Sequence, residues 1–422
     1  MLENKVSSVE RSYLRELAAK YLEYANLPVM KTRTAEWYAH NALKGNRPMV
    51  VIETESFEKD FLQPPHCNSP ELQYLENYLT SAIDNFELVN DDKVIPAEIR
   101  IPWRVMFKLF GHDPEDLIVH SEDASGNNLG YGMKYPITDL EKDFPKLGKS
   151  CYGTDKEGTM EILDLYRELV GDIIPVVPWN CNLHWAFALT AQAVLLMGME
   201  NLYIAMIDSP ELVSAFIKRI ADDTLAFANY LYEQDVLTLN NGNHYAGAGS
   251  YGFTTELPQK DFTGKIRLKD LWVNMNSQES VGISPELFQS VFYPHYARVA
   301  SEFGLVYYGC CEPVHACYDN CLENLPNLRK ISASRWCDMK FMGERLRNGK
   351  VIISRKPDPK FMGIGSLDEN ECRTHIEDTL HSCEGCKLEF IYRDVYNLNG
   401  DRTKPGKIVN IIREACDKLY RD

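Results

Sequence analysis

Residues 305–315 read LVYYGCCEPVH. Two adjacent thiols, Cys310 and Cys311, close an apolar run, and Glu312 and His315 follow. Cysteine, carboxylate and histidine are all competent zinc ligands, and a catalytic zinc takes three of them plus an open position. Such a zinc holds a substrate thiol or ether oxygen as a Lewis acid. Two plainer roles stand beside this one. Free cysteines commonly pack as small apolar side chains. A cysteine nucleophile needs a partnered base, and none is adjacent in the chain. In a strand, alternate side chains share a face. With Tyr308 inward, Cys310 and Glu312 are inward too, and Tyr307 and Cys311 point outward. The expected metal set is therefore Cys310 and Glu312, with His244 as the third ligand.

Other polar residues lie at the ends of apolar runs. The stretch SRKPDP offers Arg355 and Lys356 for a substrate carboxylate or phosphate, arginine being suited to bidentate contact. A salt bridge to Asp394 is the alternative use. Arg393 and Asp394 follow EFIY and add one charge of each sign. In WVNMNSQES, Asn276 and Gln278 could orient a polar substrate, and Glu279 could act as acid or base. A solvated carboxylate is the plainer reading of Glu279. Residues 240–253, NNGNHYAGAGSYGF, carry Asn240, Asn241, His244 and Tyr245 on a glycine-rich hairpin expected to fold over the site. Trp336 and Tyr308 are the candidate aromatic wall. A second cluster, His381-Ser-Cys383-Glu-Gly-Cys386, has C-x-x-C spacing. No second C-x-x-C completes a structural zinc site, so a reduced surface thiol pair is expected there.

The elements that position these residues follow from the hydrophobic pattern. Nine short runs rich in β-branched or aromatic residues recur: 49–53, 98–102, 175–179, 237–241, 272–276, 306–310, 330–334, 351–355 and 389–393. Helical stretches lie between most of them. Two open on Ser209-Pro210-Glu211 and Ser284-Pro285-Glu286, where serine suits the N-cap and proline the first turn. Near-continuous apolar strands alternating with helices imply a parallel sheet covered on both faces. Assigning 237–241 to the glycine-rich insertion leaves eight strands. The expected fold is an α/β, (β/α)8 TIM barrel, and an open doubly wound sheet is the alternative. Active sites of such barrels sit at the C-terminal ends of the strands. Residues 8–26 show helical spacing in Leu14, Leu17, Ala18, Tyr21 and Tyr24. Residues 1–45 are read as an N-terminal helical extension and 46–422 as the barrel. The turn-rich segment 120–155 is read as a long excursion.

The net charge is −16, from 45 Lys and Arg against 61 Asp and Glu. That balance argues against nucleic-acid partners and anionic membrane surfaces. No apolar run approaches the roughly 18–20 residues that span a bilayer. The charged N-terminus has no apolar signal core. The 12 cysteines lie at irregular spacings, which fits reduced thiols and a cytoplasmic protein.

Three segments resemble the uroporphyrinogen decarboxylase superfamily. They are WVNMNSQESVGISPELFQSVFYPHYARVA (272–300), residues 178–220, and EFIYRDVYNLNGDRTKPGKIVNIIREA (389–415). The resemblance rests on pattern and order and implies the barrel. One branch of that superfamily decarboxylates uroporphyrinogen without a cofactor. Another moves methyl groups between corrinoid proteins and a thiol, using zinc. The decarboxylase branch carries arginines just after the first strand, where this chain reads VVIETESFEKDF (50–61). Carboxylates there would repel an octacarboxylate, so uroporphyrinogen is not the expected substrate. Against the methyltransferase branch, Tyr308 stands at the family's histidine ligand, Cys310 at its cysteine, and Asp394 near its last ligand. The resemblance thus implies a zinc-assisted methyltransferase working with a corrinoid protein. Candidate catalytic groups are Glu279, Tyr308 and Asp394; candidate substrate contacts are Asn276, Gln278, Trp336, Arg355, Lys356 and Arg393. Two alternatives remain, a cofactor-free decarboxylase or lyase on a small acid and a non-catalytic ligand-binding barrel.

Overall fold

The computed structural model describes residues 6–122, 128–181 and 183–420. Six strands form one parallel sheet, and two more form a separate parallel pair. In chain order these are β1 (Met49–Ile52), β2 (Ile99–Pro102), β3 (Val176–Trp179), β4 (Trp272–Met275), β5 (Leu305–Tyr308), β6 (Leu328–Ala333), β7 (Ile352–Arg355) and β8 (Leu388–Tyr392). The sheet order is β1-β8-β7-β6-β5-β4, and β2 pairs with β3. Helices such as Pro210–Glu233, Glu369–Ser382 and Lys404–Leu419 cover one face of the strands. The protein is therefore mixed α/β around a six-stranded parallel sheet. Among the described residues, strand pairing does not close a barrel.

Side chains occupy both breaks in the wall. On the free edge of β1, the Asp92 carboxylate accepts from the Val50 amide at 2.7 Å and Asp91 accepts from the Ile52 amide at 2.8 Å. Between β3 and β4 lies the segment 237–241, which carries no strand ladder. Thr238 Oγ1 accepts from the Asn180 amide at 3.0 Å, and Asn240 pairs with both backbone groups of Trp272. A hydroxyl and an amide side chain here do what a strand edge would otherwise do.

Strand alternation sorts the residues into two sets. Val50, Ile52, Val306, Tyr308, Ile331, Ile353, Phe390 and Tyr392 pack with the helices in the main core. The opposite face carries Met49, Val51, Trp272, Asn274, Tyr307, Lys330, Ser354, Glu389 and Ile391 (the inner face below). Helix Pro28–Asn41 and the glycine hairpin fill that inner face. The hairpin pairs Tyr245–Gly247 with Ser250–Tyr251. It enters the interior instead of folding over the mouth. A Cβ on Gly247 would stand 2.4 Å from Tyr307 Cδ1, and one on Gly249 would stand 2.4 Å from Ile391 Cγ2. Only glycine lets the backbone approach that closely. Asn41 Nδ2 donates to the carbonyls of Tyr251 and Phe253 at 2.9 and 2.8 Å.

Lys330 and Glu389 form a fully buried ion pair at 2.8 Å. Lys330 also donates to Ser250 Oγ at 2.7 Å, and Glu389 meets His40 at 3.2 Å. This triad ties the hairpin and helix Pro28–Asn41 to β6 and β8.

The N-terminal helix runs Ser8–Ala25 and opens on a capping box between Ser7 and Glu10. Its apolar stripe packs on helices Pro70–Asp84 and Lys156–Val170. Ser284 caps its helix through the Leu287 amide at 3.2 Å, whereas Ser209 caps nothing and donates to Glu141 instead. The excursion 120–155 includes residues 123–127, which lie outside the described residues; around them Ile118–Glu122 pairs with Asn128–Met133, and Arg104–Lys108 pairs with Cys151–Asp155. No single described helix is long and apolar enough to cross a membrane.

Candidate active site at the strand ends

Gly309 decides the fate of the cysteine stretch. Its φ of +99° is a left-handed conformation that breaks the alternation after β5. Tyr307, not Tyr308, faces inward: the Tyr307 hydroxyl meets Ser354 Oγ at 2.9 Å and Lys356 Nζ at 2.6 Å. Tyr308 lies on the helix side, its hydroxyl 2.6 Å from Ser277 Oγ. The turn then brings both thiols to the mouth. The sulfurs of Cys310 and Cys311 are 3.5 Å apart, and Cys311 donates to Asp394 Oδ2 at 3.2 Å. The expectation that Cys311 points away is corrected. Glu312 is the one that turns away: its carboxylate accepts from the backbone amides of Ser277 and Cys310 at 2.9 and 2.8 Å.

Arg393 is one of two cations at the mouth. Its Nε lies 3.2 Å from Glu53 Oε2 and 3.5 Å from Asp394 Oδ1. Its guanidinium sits 5.7 Å above the Trp185 ring. Neither Nε nor Nη1 makes a properly aligned hydrogen bond, although both are buried. Nε faces the Glu53 and Asp394 carboxylates, and Nη1 is a buried donor without a hydrogen-bond partner among the described residues. Asp394 has φ +60°, a left-handed conformation that aspartate adopts more readily than most residues. Cys311 has a single proton to share between Cys310 and Asp394; that shared proton and the charge of Arg393 favour the thiolate of Cys310, while Cys310 and the Asp394 carboxylate push the Cys311 thiol upward. Burial also raises the Glu53 carboxyl.

Lys356 stands on the inner side just past β7. It donates to Tyr307 Oη, to Ser354 Oγ at 2.7 Å and to the Ser354 carbonyl at 3.3 Å. Complete burial lowers its amine to about 7. Alternation places its neighbour Arg355 on the opposite side. Arg355 is buried and donates to the Ser334 carbonyl at 2.5 Å. The expectation that Arg355 reaches the mouth is therefore corrected, and Lys356 and Arg393 are the cations that do.

The remaining candidates divide. Glu279 accepts from Thr190 Oγ1 at 2.7 Å and tethers its loop. Asn276 is buried with its side-chain oxygen unpaired, whereas Gln278 is exposed. Trp336 is 65% exposed and stacks under Arg335, so it forms no wall with Tyr308. His244 lies near Trp179 and Arg100, and burial lowers its imidazole to about 3. Among the described residues no group of three or more His, Cys, Asp and Glu side chains is placed to hold a metal ion. Cys310, Glu312 and His244 thus do not converge, because the Glu312 carboxylate is already engaged by two backbone amides. Cys383 and Cys386 are buried against the carbonyls of Met339 and Gly343, contrary to the expected surface pair.

Glu53, Trp185 and His184, whose ring pairs with that of Tyr245 at 4.7 Å between centroids, were not singled out from sequence. Glu53 had a signal: it directly ends the first apolar run. A separate cleft of 570 Å³ opens at the break between β1 and β2 and ends on Tyr251 of the hairpin.

No family model and no curated protein matches the chain. Among solved structures, the chain is similar to a methyltransferase from Methanosarcina mazei, with a TM-score of 0.47 and 13% identity, covering 92% of this chain and 99% of that one. It is also similar to a GH5 family lichenase from Caldicellulosiruptor sp. F32, with a TM-score of 0.28 and 9% identity, covering 93% and 96%.

Proposed function

We propose that the chain is a uroporphyrinogen decarboxylase-like barrel enzyme, with residues 1–45 as its helical extension, that transfers a methyl group between a small anionic substrate and a corrinoid protein. The observation that carries this reading is Lys356, a buried amine near neutrality beside Tyr307 at the end of β7. A heteroatom that loses a methyl group must be stabilised as it leaves, and a group titrating near 7 can lend or take that proton. Arg393 would hold the substrate carboxylate, and its unpartnered Nη1 supports that role. Trp185 and Tyr245 would border the bound substrate. Among the described residues the donor set does not fit the zinc that the resemblance implies.

The test is an anaerobic assay with free cob(I)alamin and carboxylate-bearing methyl thioethers, methylamines and aryl methyl ethers. Methylation of the cobalt, lost in Arg393→Ala and Lys356→Met, is the expected result. No methylation from any donor would refute the reading.

The guanidinium of Arg393 together with the near-neutral buried amine of Lys356 also supports one alternative: a cofactor-free decarboxylase on a small acid. Arg393 would bind the carboxylate and Lys356 would protonate the carbanion. Metal-independent release of carbon dioxide from a small acid would establish it and displace methyl transfer.

A further inference from the structure

We propose that Cys310 and Cys311 are a redox-active vicinal dithiol that a hydroperoxide closes to a disulfide, with Asp394 as proton acceptor for Cys311. This inference does not depend on methyl transfer. The two sulfurs are 3.5 Å apart, and Cys311 already donates to Asp394 at 3.2 Å. The Arg393 guanidinium lies within 3.5 Å of the same Asp394 carboxylate, which puts a fixed positive charge beside the pair. Cys310 is the sulfur that this charge, together with the Cys311 proton it shares with Asp394, favours as thiolate, the form that attacks peroxide.

The steps balance. The Cys310 thiolate attacks one peroxide oxygen, forming S–O and breaking O–O. The hydroxide that leaves takes a proton from solvent and becomes water. Cys310 is now a sulfenic acid. Cys311 passes its proton to Asp394, and its sulfur attacks Cys310. The S–S bond forms, S–O breaks, and the departing hydroxide takes the proton held by Asp394. Two thiols lose two electrons and two protons, and one peroxide becomes two waters. A small thiol reopens the bond by exchange.

Adjacent residues make this bond easy to reverse. Consecutive Cα atoms stand about 3.8 Å apart across a trans peptide, below the span of about 4.4–6.8 Å that relaxed disulfides use. A strained disulfide has a higher reduction potential and is the labile kind. Asp394 adds a proton acceptor that neither an inert core pair nor the buried Cys383–Cys386 pair possesses; those two sulfurs face backbone carbonyls.

The experiment treats the full chain with hydrogen peroxide, quenches with an alkylating agent, and maps the peptides by mass. The expected peptide spanning Cys310 and Cys311 has lost two hydrogens and resists alkylation, and dithiothreitol restores both thiols. In Cys311→Ser the reaction stops at the sulfenic acid, which dimedone traps on Cys310. In Asp394→Asn closure slows by about a hundredfold, the low end for a positioned proton acceptor, and dimedone trapping rises. The exposed Cys151 is the internal control for peroxide reactivity. Full alkylation of both Cys310 and Cys311 after Cys151 has been oxidised would overturn the proposal. Dimedone trapping that is the same in the unaltered chain and in Cys311→Ser would overturn it as well. Because the readout is mass and not methyl transfer, failure here leaves the proposed function standing, and the reverse also holds.

Discussion

Replacing Lys330 with methionine tests the buried triad that seats the hairpin. Lys330 and Glu389 are both fully buried, 2.8 Å apart, and each has a further partner, Ser250 and His40. Burial pulls the Lys330 amine down, while Lys330 and His40 hold Glu389 well below the usual carboxylate range. The charged pair is the state the contacts support, because Lys330 also donates to the Tyr251 carbonyl and lies 5.2 Å from the centre of the Trp37 ring. Lys330→Met leaves Glu389 buried without its cation, which costs about 3–5 kcal/mol. With roughly 2.1 cal/mol/K of unfolding entropy per residue, a chain of 422 residues should lose about 3–6 °C in Tm. The double variant Lys330→Met with Glu389→Leu removes both charges and should recover most of that loss, leaving about 1–2 kcal/mol for the stranded Ser250 and His40. Urea unfolding and calorimetry of the three proteins measure this. A double variant as unstable as Lys330→Met, or a single variant within about 1 kcal/mol of the original chain, would show that the pair is not a desolvated charge pair.

Further outcomes follow from the same geometry. Gly247→Ala puts a methyl 2.4 Å from the Tyr307 ring and should destabilise by about 1–3 kcal/mol in denaturant titration; a neutral result would mean that the hairpin does not lie against β5. Burial holds His184 at about 4 and His244 at about 3, below the ordinary 6.5. Below pH 6.5 the unfolded chain therefore binds more protons, and stability falls with falling pH by about 1.4 kcal/mol per unit for each histidine, down to its folded value. Denaturant titrations at pH 7, 6 and 5 should show a shallower dependence in His184→Asn with His244→Asn, and an unchanged slope would contradict the burial. Arg393→Ala should weaken binding of a small carboxylate by about 1.5–3 kcal/mol in calorimetric titration. Arg355→Ala should leave that affinity unchanged while lowering stability, and the opposite pattern would reverse the assignment of the two arginines.

Near-continuous apolar runs between helical stretches were enough to establish a parallel sheet covered by helices, because only buried strands tolerate such runs. Among the described residues, the eight strands with parallel partners are eight of the nine runs, and 237–241 stays outside the ladders. Local chemistry was equally legible where it is short-range: the Ser284 cap is readable because both partners lie within one turn. The strand-end positions of Lys356, Cys310, Arg393 and Asp394 were also readable. Which face each residue takes was not. A strand that is apolar on both faces announces its alternation but not its parity. The parity of β5 is set by what packs on each side, and Gly309 then resets it, so Tyr308 and Glu312 turn to the helix side and Cys311 joins Cys310 at the mouth. The same ambiguity exchanged Arg355 for Lys356. The Glu53–Arg393 pair joins β1 to β8, and the hairpin's place inside the sheet depends on Asn41, Lys330 and Tyr307 from three distant segments. Such long-range contacts leave no periodic trace in a single chain, so tertiary packing alone decided them.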